Sequence, residues 1–582
     1  MEDDGWWIGS PVSSCRGSAD MRILLLTHTF NSLTQRIFLE LSNLGHELSV
    51  EFDINDAVTT EAVELFRPHL ILAPYLRRAI PESIWRNHLT LVVHPGIVGD
   101  RGPSAIDWAI LENETDWGVT VLQAEAEMDA GPIWTTESFA MRETTKSSLY
   151  RNEVTEAALR AVLGAVERVK EYNSGAWKPV PLDKWVHRGR LRPAMKPEDR
   201  SIDWERDDTS TVLRKIRASD SFPGVLDTLF GKPCHLFNAH AFPAKGTPGE
   251  VAGRVGDGVV KLTSDGAILI GHAKRDDFWP GIKLPTAIAF PEATDLTDLS
   301  EETGDIRYEE VDGVGYLHFD FYNGAMGTMA CKRLLSAYTQ ALSRPIRVIV
   351  LMGGSDFFSN GLDLNLIEAS ESPSDESSLN IEAMDDLCQA ILETKNQLTI
   401  SALQGNAGAG GAFLALAADE VWARCGVILN PHYKNMGNLY GSEFWTYRLP
   451  LRVGADQATK IMQNRLPLGA EDAKRLGFID DYFGQDIAEF AIQVRDRASA
   501  LASSPGFTDR LGAKRSSRDI DESVKSLAQY RIEELSHMQR NFYGFDPSYH
   551  VARHHFVQKT PHSWTPRHLA RHRELGWTVP EE

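Results

Sequence analysis

Short apolar runs alternate with segments of helical periodicity in the first part of the chain. The apolar runs at 22–26, 48–52 and 69–72 predict strands, and the spacing of apolar residues over 33–44 predicts a helix. This alternation is typical of an α/β fold with a largely parallel sheet. The turn at 27–32 contains no glycine, so the sequence does not predict a dinucleotide site after the first strand.

The pattern changes in the middle of the chain. A helical pattern over 153–172 is followed, within 204–273, by short apolar runs such as 254–260 and 262–270 that turn residues separate. These features predict a small β-rich domain. Residues 291–305 then carry six acidic residues and no basic one, which is typical of a solvated linker.

A second α/β unit is predicted after this acidic segment. The runs 314–321 and 346–352 indicate buried strands, and helical patterns cover 329–341 and 379–397. The last 70 residues are helical and then rich in His, Arg and aromatic residues, with seven of the 18 histidines. No metal-binding spacing such as H-E-x-x-H occurs there, so we expect a solvated, partly helical cover over the second α/β unit and no metal.

The length, charge and cysteine content of the chain limit the classes of protein to which it can belong. A chain of 582 residues is long enough for several domains, and its net charge of −21 disfavours nucleic acid as a partner. Five cysteines, an odd number without C-x-x-C spacing, favour reduced thiols and a cytoplasmic location. No apolar run reaches the roughly 20 residues that span a bilayer, so no membrane partner is expected. Residues 1–20 begin acidic and lack an apolar run, and we expect a loose extension before Met21.

These patterns divide the chain into segments. The expected order is a loose extension (1–20), an α/β domain (21–180), a β-rich domain (181–288), an acidic linker (289–305), a second α/β domain (306–500) and a helical His/Arg-rich segment (501–582).

A histidine and an aspartate form the first candidate constellation. His94 ends the apolar run 91–93 at a Pro-Gly turn, and Asp129 lies in a turn after another predicted strand, 118–121. Open α/β sheets build their sites at such strand ends, and a carboxylate beside an imidazole fixes its tautomer and raises its basicity, as proton transfer requires. A structural histidine and a turn aspartate would give the same spacing, so the residues alone leave both interpretations open.

The segments HPGIVGDRGPSAIDWAI and GVTVLQAEAEMDAGPI around these residues resemble the N10-formyltetrahydrofolate-dependent formyltransferases and hydrolases. The resemblance extends over 21–270, and its second part is similar to the C-terminal domain of methionyl-tRNA formyltransferases. It implies a Rossmann-type first domain, an OB-like β-rich domain, and His94 and Asp129 as the catalytic pair. It also implies a pterin-contacting loop at 73–81 and four folate-binding residues: Arg77, Arg78, Ala79 and Glu125.

The chain departs from this family at one position. Val92 stands where the family has an asparagine, whose amide polarises the formyl oxygen. Losing one such donor typically costs roughly 2.7 to 4 kcal/mol in comparable oxyanion sites. A thiolate is a stronger nucleophile than an amine, so the change favours a sulfur acceptor.

Two glycine-rich turns form the second constellation. One lies at 358–364 and the other at 404–413, each after a predicted buried strand. Backbone N–H groups at such turns are fixed donors that polarise a thioester carbonyl. Turns that serve only packing would look the same.

Together these turns and the following Ala-Asp-Glu resemble the crotonase (enoyl-CoA hydratase/isomerase) superfamily over 306–500. The resemblance implies binding of an acyl-CoA thioester, with the oxyanion and CoA-binding residues Gly361, Leu362, Gly410 and Tyr440. Phe413 replaces the first hydratase glutamate and supplies neither acid nor base, so ordinary hydration is excluded. Tyr433 and Glu443 are then the candidates for proton handling, or they only line the pocket.

Nearly all of 21–573 resembles the hydrogenase maturation family HypX, also called HoxX. The resemblance implies transfer of the formyl group of N10-formyltetrahydrofolate to coenzyme A, followed by decarbonylation of formyl-CoA. It also implies that the CO becomes the iron ligand of [NiFe]-hydrogenase, with other hydrogenase maturation proteins as partners. We also expect a passage between the two sites, because a sequestered intermediate avoids hydrolysis. The alternatives are a methionyl-tRNA-type or other formyltransferase or hydrolase, a fatty-acyl-CoA enzyme, which Phe413 disfavours, and a non-catalytic assembly factor.

Overall fold

The computed structural model describes residues 21–277, 281–300 and 304–573. The predicted extension at 1–20 lies outside the described residues, as does the end of the chain at 574–582. Within the described residues the chain forms two α/β domains with a smaller antiparallel β domain between them in sequence.

The first domain contains a six-stranded sheet of order β2-β1-β3-β4-β5-β6. The strands β1 to β4 are parallel, and β5 and β6 run antiparallel to their neighbours. Its strands are β1 (Arg22–Thr27), β2 (Glu47–Phe52), β3 (Leu70–Tyr75), β4 (Thr90–His94), β5 (Asp116–Gln123) and β6 (Ile133–Ala140). Its helices are α1 (Ser32–Asn43), α2 (Asp56–Phe66), α3 (Glu82–Trp85), α4 (Ala105–Leu111), α5 (Lys146–Leu149) and α6 (Thr155–Asn173), with a π-helical turn at Tyr150–Val154.

The apolar runs of the sequence become the centre of this sheet. Ile23, Leu24 and Leu25 are fully buried, because α-helices cover both faces of the sheet. Asn31 precedes α1, and its side chain accepts a hydrogen bond from Thr34 N and caps the helix. The predicted strands and helix of the first domain are therefore observed, with boundaries shifted by one to three residues.

The second domain is the β-rich unit that the turn pattern predicts. Its antiparallel strands have the order β7-β8-β11-β10-β9, and β12 pairs with β11. Its elements are α7 (Thr209–Ser219), β7 (Val225–Leu229), β8 (Lys232–Phe242), β9 (Val251–Val255), β10 (Gly258–Leu262), β11 (Ala267–Arg275), β12 (Lys283–Pro285) and α8 (Thr286–Ala289).

The acidic segment 291–305 is more ordered than a solvated linker. Ala293 is fully buried, and Arg254 exchanges backbone hydrogen bonds with Thr297 and Leu299 at 2.9 Å each. The described part follows the edge of β9 because its apolar residues pack there, while Glu292, Asp295 and Asp298 are exposed. The acidic composition predicted a solvated linker because composition does not show this packing. Residues 301–303 lie outside the described part.

The third domain has a six-stranded sheet of order β13-β14-β15-β17-β19-β22 and a smaller sheet of order β16-β18-β20-β21. Its strands are β13 (Ile306–Val311), β14 (Val314–Phe319), β15 (Val348–Leu351), β16 (Phe357–Ser359), β17 (Leu398–Leu403), β18 (Asn406–Gly408), β19 (Glu420–Arg424), β20 (Ile428–Asn430), β21 (Leu468–Gly469) and β22 (Asp481–Phe483). Its helices are α9 (Thr328–Leu342), α10 (Leu364–Ala369), α11 (Pro373–Leu392), α12 (Gly410–Leu416), α13 (Trp445–Val453), α14 (Ala455–Asn464), α15 (Ala470–Leu476) and α16 (Ile487–Ser503).

The C-terminal segment forms α17 (Phe507–Val524), α18 (Leu527–Tyr543) and α19 (Ser548–Val557) against the third domain. Beyond α19 the chain crosses to the first domain, which the sequence did not predict. Leu569 O accepts a hydrogen bond from Val50 N at 3.0 Å, on the edge strand β2. His572, expected in a solvated tail, is buried and contacts the buried carboxylate of Glu51 at 2.8 Å. An edge strand leaves backbone groups unpaired, and the tail satisfies some of them.

Neither a membrane-crossing helix nor a metal-ligating cluster of three or more His, Cys, Asp or Glu residues is found in the described ranges. The four described cysteines are free thiols: Cys234, Cys331, Cys388 and Cys425.

Candidate active sites

The first candidate site lies at the end of β4. His94 is buried, and each of its ring nitrogens faces a carboxylate: Nε2 lies 3.0 Å from Asp100 Oδ1, and Nδ1 lies 3.6 Å from Asp129 Oδ2. Because a carboxylate only accepts, the shorter contact places a hydrogen on Nε2. Nδ1 then carries the free electron pair, and Asp129 Oδ2, 3.6 Å away, accepts the N–H of Gly102 at 3.1 Å.

Glycines allow the close approach of these groups. A Cβ on Gly96 would lie 2.4 Å from His94 Nε2 and 2.7 Å from Asp100 Oδ1, so only glycine fits between them. A Cβ on Gly131 would lie 1.9 Å from Gln123 O, which explains the glycine after Asp129. The backbone turns around the histidine are thus built for the His–Asp contacts.

The structure brings His94 and Asp129 together and adds Asp100, which the sequence analysis missed. Asp100 is 2% exposed, and its Oδ2 lies 3.9 Å from Nε of the buried Arg192. Its position six residues after the histidine, in a glycine-rich turn, was the available indication. Val92 lies on β4 between Ala73 and Leu122 and brings no polar atom to the site.

The four predicted folate-binding residues lie on exposed loops of the first domain. Arg77 and Arg78 follow β3; the backbone N–H of Arg77 donates to Asp53 at 3.1 Å, and the Arg78 guanidinium pairs with Asp56 at 3.0 Å. Ala79 continues the same loop. Glu125 follows β5, the strand that leads to Asp129.

The second candidate site is formed where the two glycine-rich turns meet. A Cβ on Gly361 would lie 3.1 Å from Gly410 N, so the turns are in contact. The N–H of Gly361 donates to Ser359 Oγ at 3.0 Å and is therefore engaged within the turn. Leu362, a predicted oxyanion residue, follows it directly in the chain. Ala409 has φ 45°, in a region that disfavours side chains, and this strained residue presents Gly410 at the start of α12.

Contacts from the first domain support both turns. Asp356, just before β16, accepts a hydrogen bond from Asn152 of the π-helical turn at 2.9 Å. Asn430 O accepts the N–H of Ala409 at 2.9 Å, and the Asn430 side chain donates to Gln35 of α1 at 3.0 Å. The fused first domain therefore contributes to the geometry of the second site.

Tyr433 and Glu443 are joined in the buried centre of this site. The Tyr433 hydroxyl donates to Glu443 Oε2 at 2.5 Å, and Ser442 N–H donates to the same oxygen at 3.1 Å. Glu443 Oε1 has no hydrogen-bond partner among the described residues, and a Cβ on Gly410 would lie 2.0 Å from it. A free carboxyl oxygen thus lies against the predicted oxyanion position, where it is able to give or take a proton.

Burial controls the protonation of this pair. Burial raises the pKa of Glu443 to about 8. Burial also raises the pKa of Tyr433 well above its ordinary value. A carboxyl with a pKa near neutrality is suited to proton transfer at physiological pH.

Aromatic rings enclose the site. Phe413 is fully buried and stacks on Tyr433 with ring centroids 5.2 Å apart, so the residue in the hydratase-glutamate position packs against the tyrosine. Tyr440 stacks on His537 of α18 at 4.0 Å. The C-terminal segment therefore forms part of the wall of this site.

Two further acids that the sequence analysis missed lie beside Glu443. Asp385 Oδ1 accepts the N–H of Glu443 at 2.8 Å, and Glu534 Oε2 accepts the N–H of Phe444 at 2.9 Å. Burial raises the pKa of both carboxyls. They come from α11 and α18, and nothing in their local sequence distinguishes them from solvated helix residues.

Comparison with known proteins identifies the family. Residues 323–565 match the family described as Enoyl-CoA hydratase/isomerase, and residues 194–277 match the Formyl transferase, C-terminal domain. The chain is 53% identical over 559 residues to the hydrogenase maturation factor HoxX of Bradyrhizobium diazoefficiens, covering 95% of this chain and 97% of that protein. The chain belongs to the HypX/HoxX family of hydrogenase maturation factors.

Two other similarities agree with this membership. The crystal structure of HypX from Aquifex aeolicus in complex with tetrahydrofolic acid has a TM-score of 0.92 and 47% identity, and covers 96% of this chain and 100% of that one. A methionyl-tRNA formyltransferase of Chloroflexus aurantiacus is 29% identical over 243 residues, 40% of this chain and 76% of that protein. The HypX/HoxX fold predicted from sequence, formyltransferase-like and β-rich domains followed by a crotonase-like domain with a helical C-terminal segment, is confirmed.

Proposed function

We propose that this HypX/HoxX family member transfers the formyl group of N10-formyltetrahydrofolate to coenzyme A and then splits formyl-CoA into CO and CoA. The observation that carries the proposal is the unpartnered Glu443 oxygen beside Gly410, in a crotonase-like site that lacks the first hydratase glutamate. The tetrahydrofolic acid in the related Aquifex structure supports a folate substrate for the first domain.

In the first step, His94 acts as the base. Its Nδ1 takes the proton of the CoA thiol, the sulfur forms a bond to the formyl carbon, and the bond from that carbon to N10 breaks. The proton then passes to N10 and leaves tetrahydrofolate. Asp100 holds the Nε2–H and so keeps Nδ1 free, while Asp129 stabilises the charged imidazole. We propose Arg77, Arg78, Ala79 and Glu125 as the folate contacts.

In the second step, the formyl thioester has no α-carbon and therefore cannot form an enolate. The ionised Glu443 takes the formyl hydrogen as a proton, the electrons of that bond become the lone pair of CO, and the C–S bond breaks toward sulfur. The proton then passes to the thiolate and gives CoA. The N–H groups of Leu362 and Gly410 polarise the carbonyl oxygen, Tyr433 stabilises Glu443, and Gly361 and Tyr440 line the CoA site.

The fusion of the two domains supports direct transfer of the intermediate. A passage through which the pantetheine arm reaches both sites would limit hydrolysis of formyl-CoA. The CO would be delivered to the iron of [NiFe]-hydrogenase, with other maturation proteins as partners. A tRNA substrate is disfavoured by the net charge of −21.

One assay tests the function. Purified protein is incubated with N10-formyltetrahydrofolate and CoA, and CO is trapped with deoxyhaemoglobin. We expect CO that depends on both substrates. Release of formate with no CO would contradict the proposal and favour a hydrolase, and absence of any folate turnover would favour a non-catalytic assembly factor.

A further inference from the structure

Ser442 lies between two buried acids that take no part in the steps proposed above. Ser442 Oγ lies 2.8 Å from Asp385 Oδ2 and 3.2 Å from Glu534 Oε2. The serine and aspartate are fully buried and the glutamate is 1% exposed. The two acids reach this point from α11 and α18, so only the tertiary fold brings them together.

The number of hydrogens at this contact limits its charge state. A serine hydroxyl carries one hydrogen, and an ionised carboxyl only accepts. If both acids were ionised, one carboxylate oxygen would face Ser442 Oγ with no hydrogen between them, and two anions would share a buried site. One of the two acids therefore carries a proton, which it donates to Ser442 Oγ.

The other donors show which acid is charged. Glu534 accepts the N–H of Phe444 at 2.9 Å and both the N–H and the hydroxyl of Thr446, at 2.8 and 2.5 Å. Among the described residues, Asp385 has one donor besides Ser442, the N–H of Glu443 at 2.8 Å. Several donors favour the ionised form of a carboxyl. The charge thus belongs to Glu534 and the proton to Asp385.

The same acids hold a strained stretch of backbone. Glu443 and Phe444 have φ angles of 60° and 59°, in the left-handed region that disfavours side chains. The N–H of Glu443 is bound by Asp385, and the N–H of Phe444 is bound by Glu534. Each strained residue is therefore fixed by one member of the acid pair.

The surrounding groups are compatible with a shared proton. The guanidinium of Arg531 contacts Asp386 at 2.7 Å, and its charge acts to lower the pKa of Asp385, but burial outweighs this effect and raises that pKa. The nearby thiols of Cys331 and Cys388 stay neutral, because burial raises their pKa. Tyr433 donates its hydrogen to Glu443, as described above.

We infer that Asp385 and Glu534 are positioning residues of the thioester-cleaving site: one proton, carried by Asp385 and bonded through Ser442 to anionic Glu534, locks the 442–444 turn. This lock keeps the free oxygen of Glu443 against Gly410. The inference rests on the proposed function only for the reaction that Glu443 serves.

Rescue by amide variants tests the assignment of the proton. An asparagine at 385 reproduces a protonated acid, since its NH₂ donates to Ser442 and its oxygen accepts from Glu443 N–H. A glutamine at 534 places its NH₂ against N–H donors in either orientation. In the full-length protein with formyl-CoA, Asp385→Ala should lower kcat about tenfold or more, with little change in KM, and Asp385→Asn should restore most of it. Glu534→Gln should not restore the loss in Glu534→Ala.

An infrared measurement tests the proton without turnover. In Glu443→Gln protein, the C=O stretching band of a buried protonated carboxyl should be present, and it should disappear when Asp385→Asn is added. A band that persists in the double variant, or equal losses in Asp385→Asn and Asp385→Ala, would overturn the inference. This band does not depend on catalysis, so absence of CO release in the unmodified protein counts against the proposed function alone. The infrared band also tests the location of the proton if a Glu534 variant fails to fold.

Discussion

The hydroxyl of Tyr433 lies 2.5 Å from Oε2 of Glu443, while the other oxygen of that carboxyl has no hydrogen-bond partner among the described residues. One oxygen is thus held and the other is free at Gly410. An acid or base that is oriented in this way is preorganised, so proton transfer does not require its side chain to rearrange first. The pair lies in one loop of the third domain, so it can be tested separately from folate chemistry.

Replacement of Glu443 by glutamine should abolish most CO release. A positioned proton carrier contributes typically about 10² to 10⁴ in rate, and glutamine preserves shape without that function. Tyr433→Phe removes the hydrogen bonds of the hydroxyl to Glu443 Oε2 and to Ser442 O but keeps the carboxyl, and should have a smaller effect. CO release from supplied formyl-CoA measures both, and folate turnover should be unchanged. A Glu443→Gln protein with normal CO release would exclude Glu443 as the proton carrier.

Replacement of His94 by alanine should stop formyl transfer and leave the second step intact. The reason is that the side-chain contacts of His94 are with Asp100 and Asp129, which both lie in the first domain. Tetrahydrofolate formation and CO release from supplied formyl-CoA are measured in parallel. Asp100→Asn should reduce tetrahydrofolate formation less than His94→Ala does. Equal loss of both activities in His94→Ala would contradict the division of labour.

Gly410→Ala should inactivate the second step, because the new Cβ would lie 2.0 Å from Glu443 Oε1. Gly512, in α17, is a matched control, since a Cβ there meets nothing within 4 Å. Gly512→Ala should leave CO release unchanged and raise stability by roughly 0.5 to 1 kcal/mol, since alanine favours a helix. Thermal unfolding and CO release from formyl-CoA compare the two variants. Normal activity in Gly410→Ala would show that the carboxyl does not work from this position.

The protonation of Glu443 should be visible in the pH dependence of both activity and stability. Burial raises the pKa of Glu443 from 4.5 to about 8. Because the folded form binds this proton more tightly, its stabilising contribution is complete below pH 4.5 and is lost as pH rises through about 8. CO release should rise over the upper part of this range, since the base must be ionised. Glu443→Gln should flatten the stability profile, measured by unfolding at several pH values; an unchanged profile would contradict the raised pKa.

The C-terminal contact with the first domain should be important for stability. Burial acts to raise the pKa of Glu51, but hydrogen bonds from His572, Thr565 and Arg573 outweigh it and lower that pKa. Leaving a buried charged group without one of its hydrogen-bond partners costs about 1 to 3 kcal/mol, so His572→Ala should lower the thermal unfolding temperature clearly. His555→Ala changes an exposed residue and is the control. Equal unfolding temperatures would mean that the tail does not stabilise the first domain.

The sequence by itself determined the domain order and the strands and helices that carry both sites. Apolar runs such as 22–26 and 314–321 are buried by any compact arrangement, so their pattern is informative locally. The local sequence was also informative for His94, Asp129, Gly361 and Gly410, because these residues belong to short motifs at strand ends.

Only the tertiary structure decided which distant groups complete those sites. Asp385 and Glu534 are separated by about 150 residues and meet at Ser442, and Glu51 meets His572 from the opposite end of the chain. A carboxylate on a helix gives the same local pattern whether it faces water or a buried partner. Its desolvation, and therefore its pKa and its role, depend on the elements that pack against it.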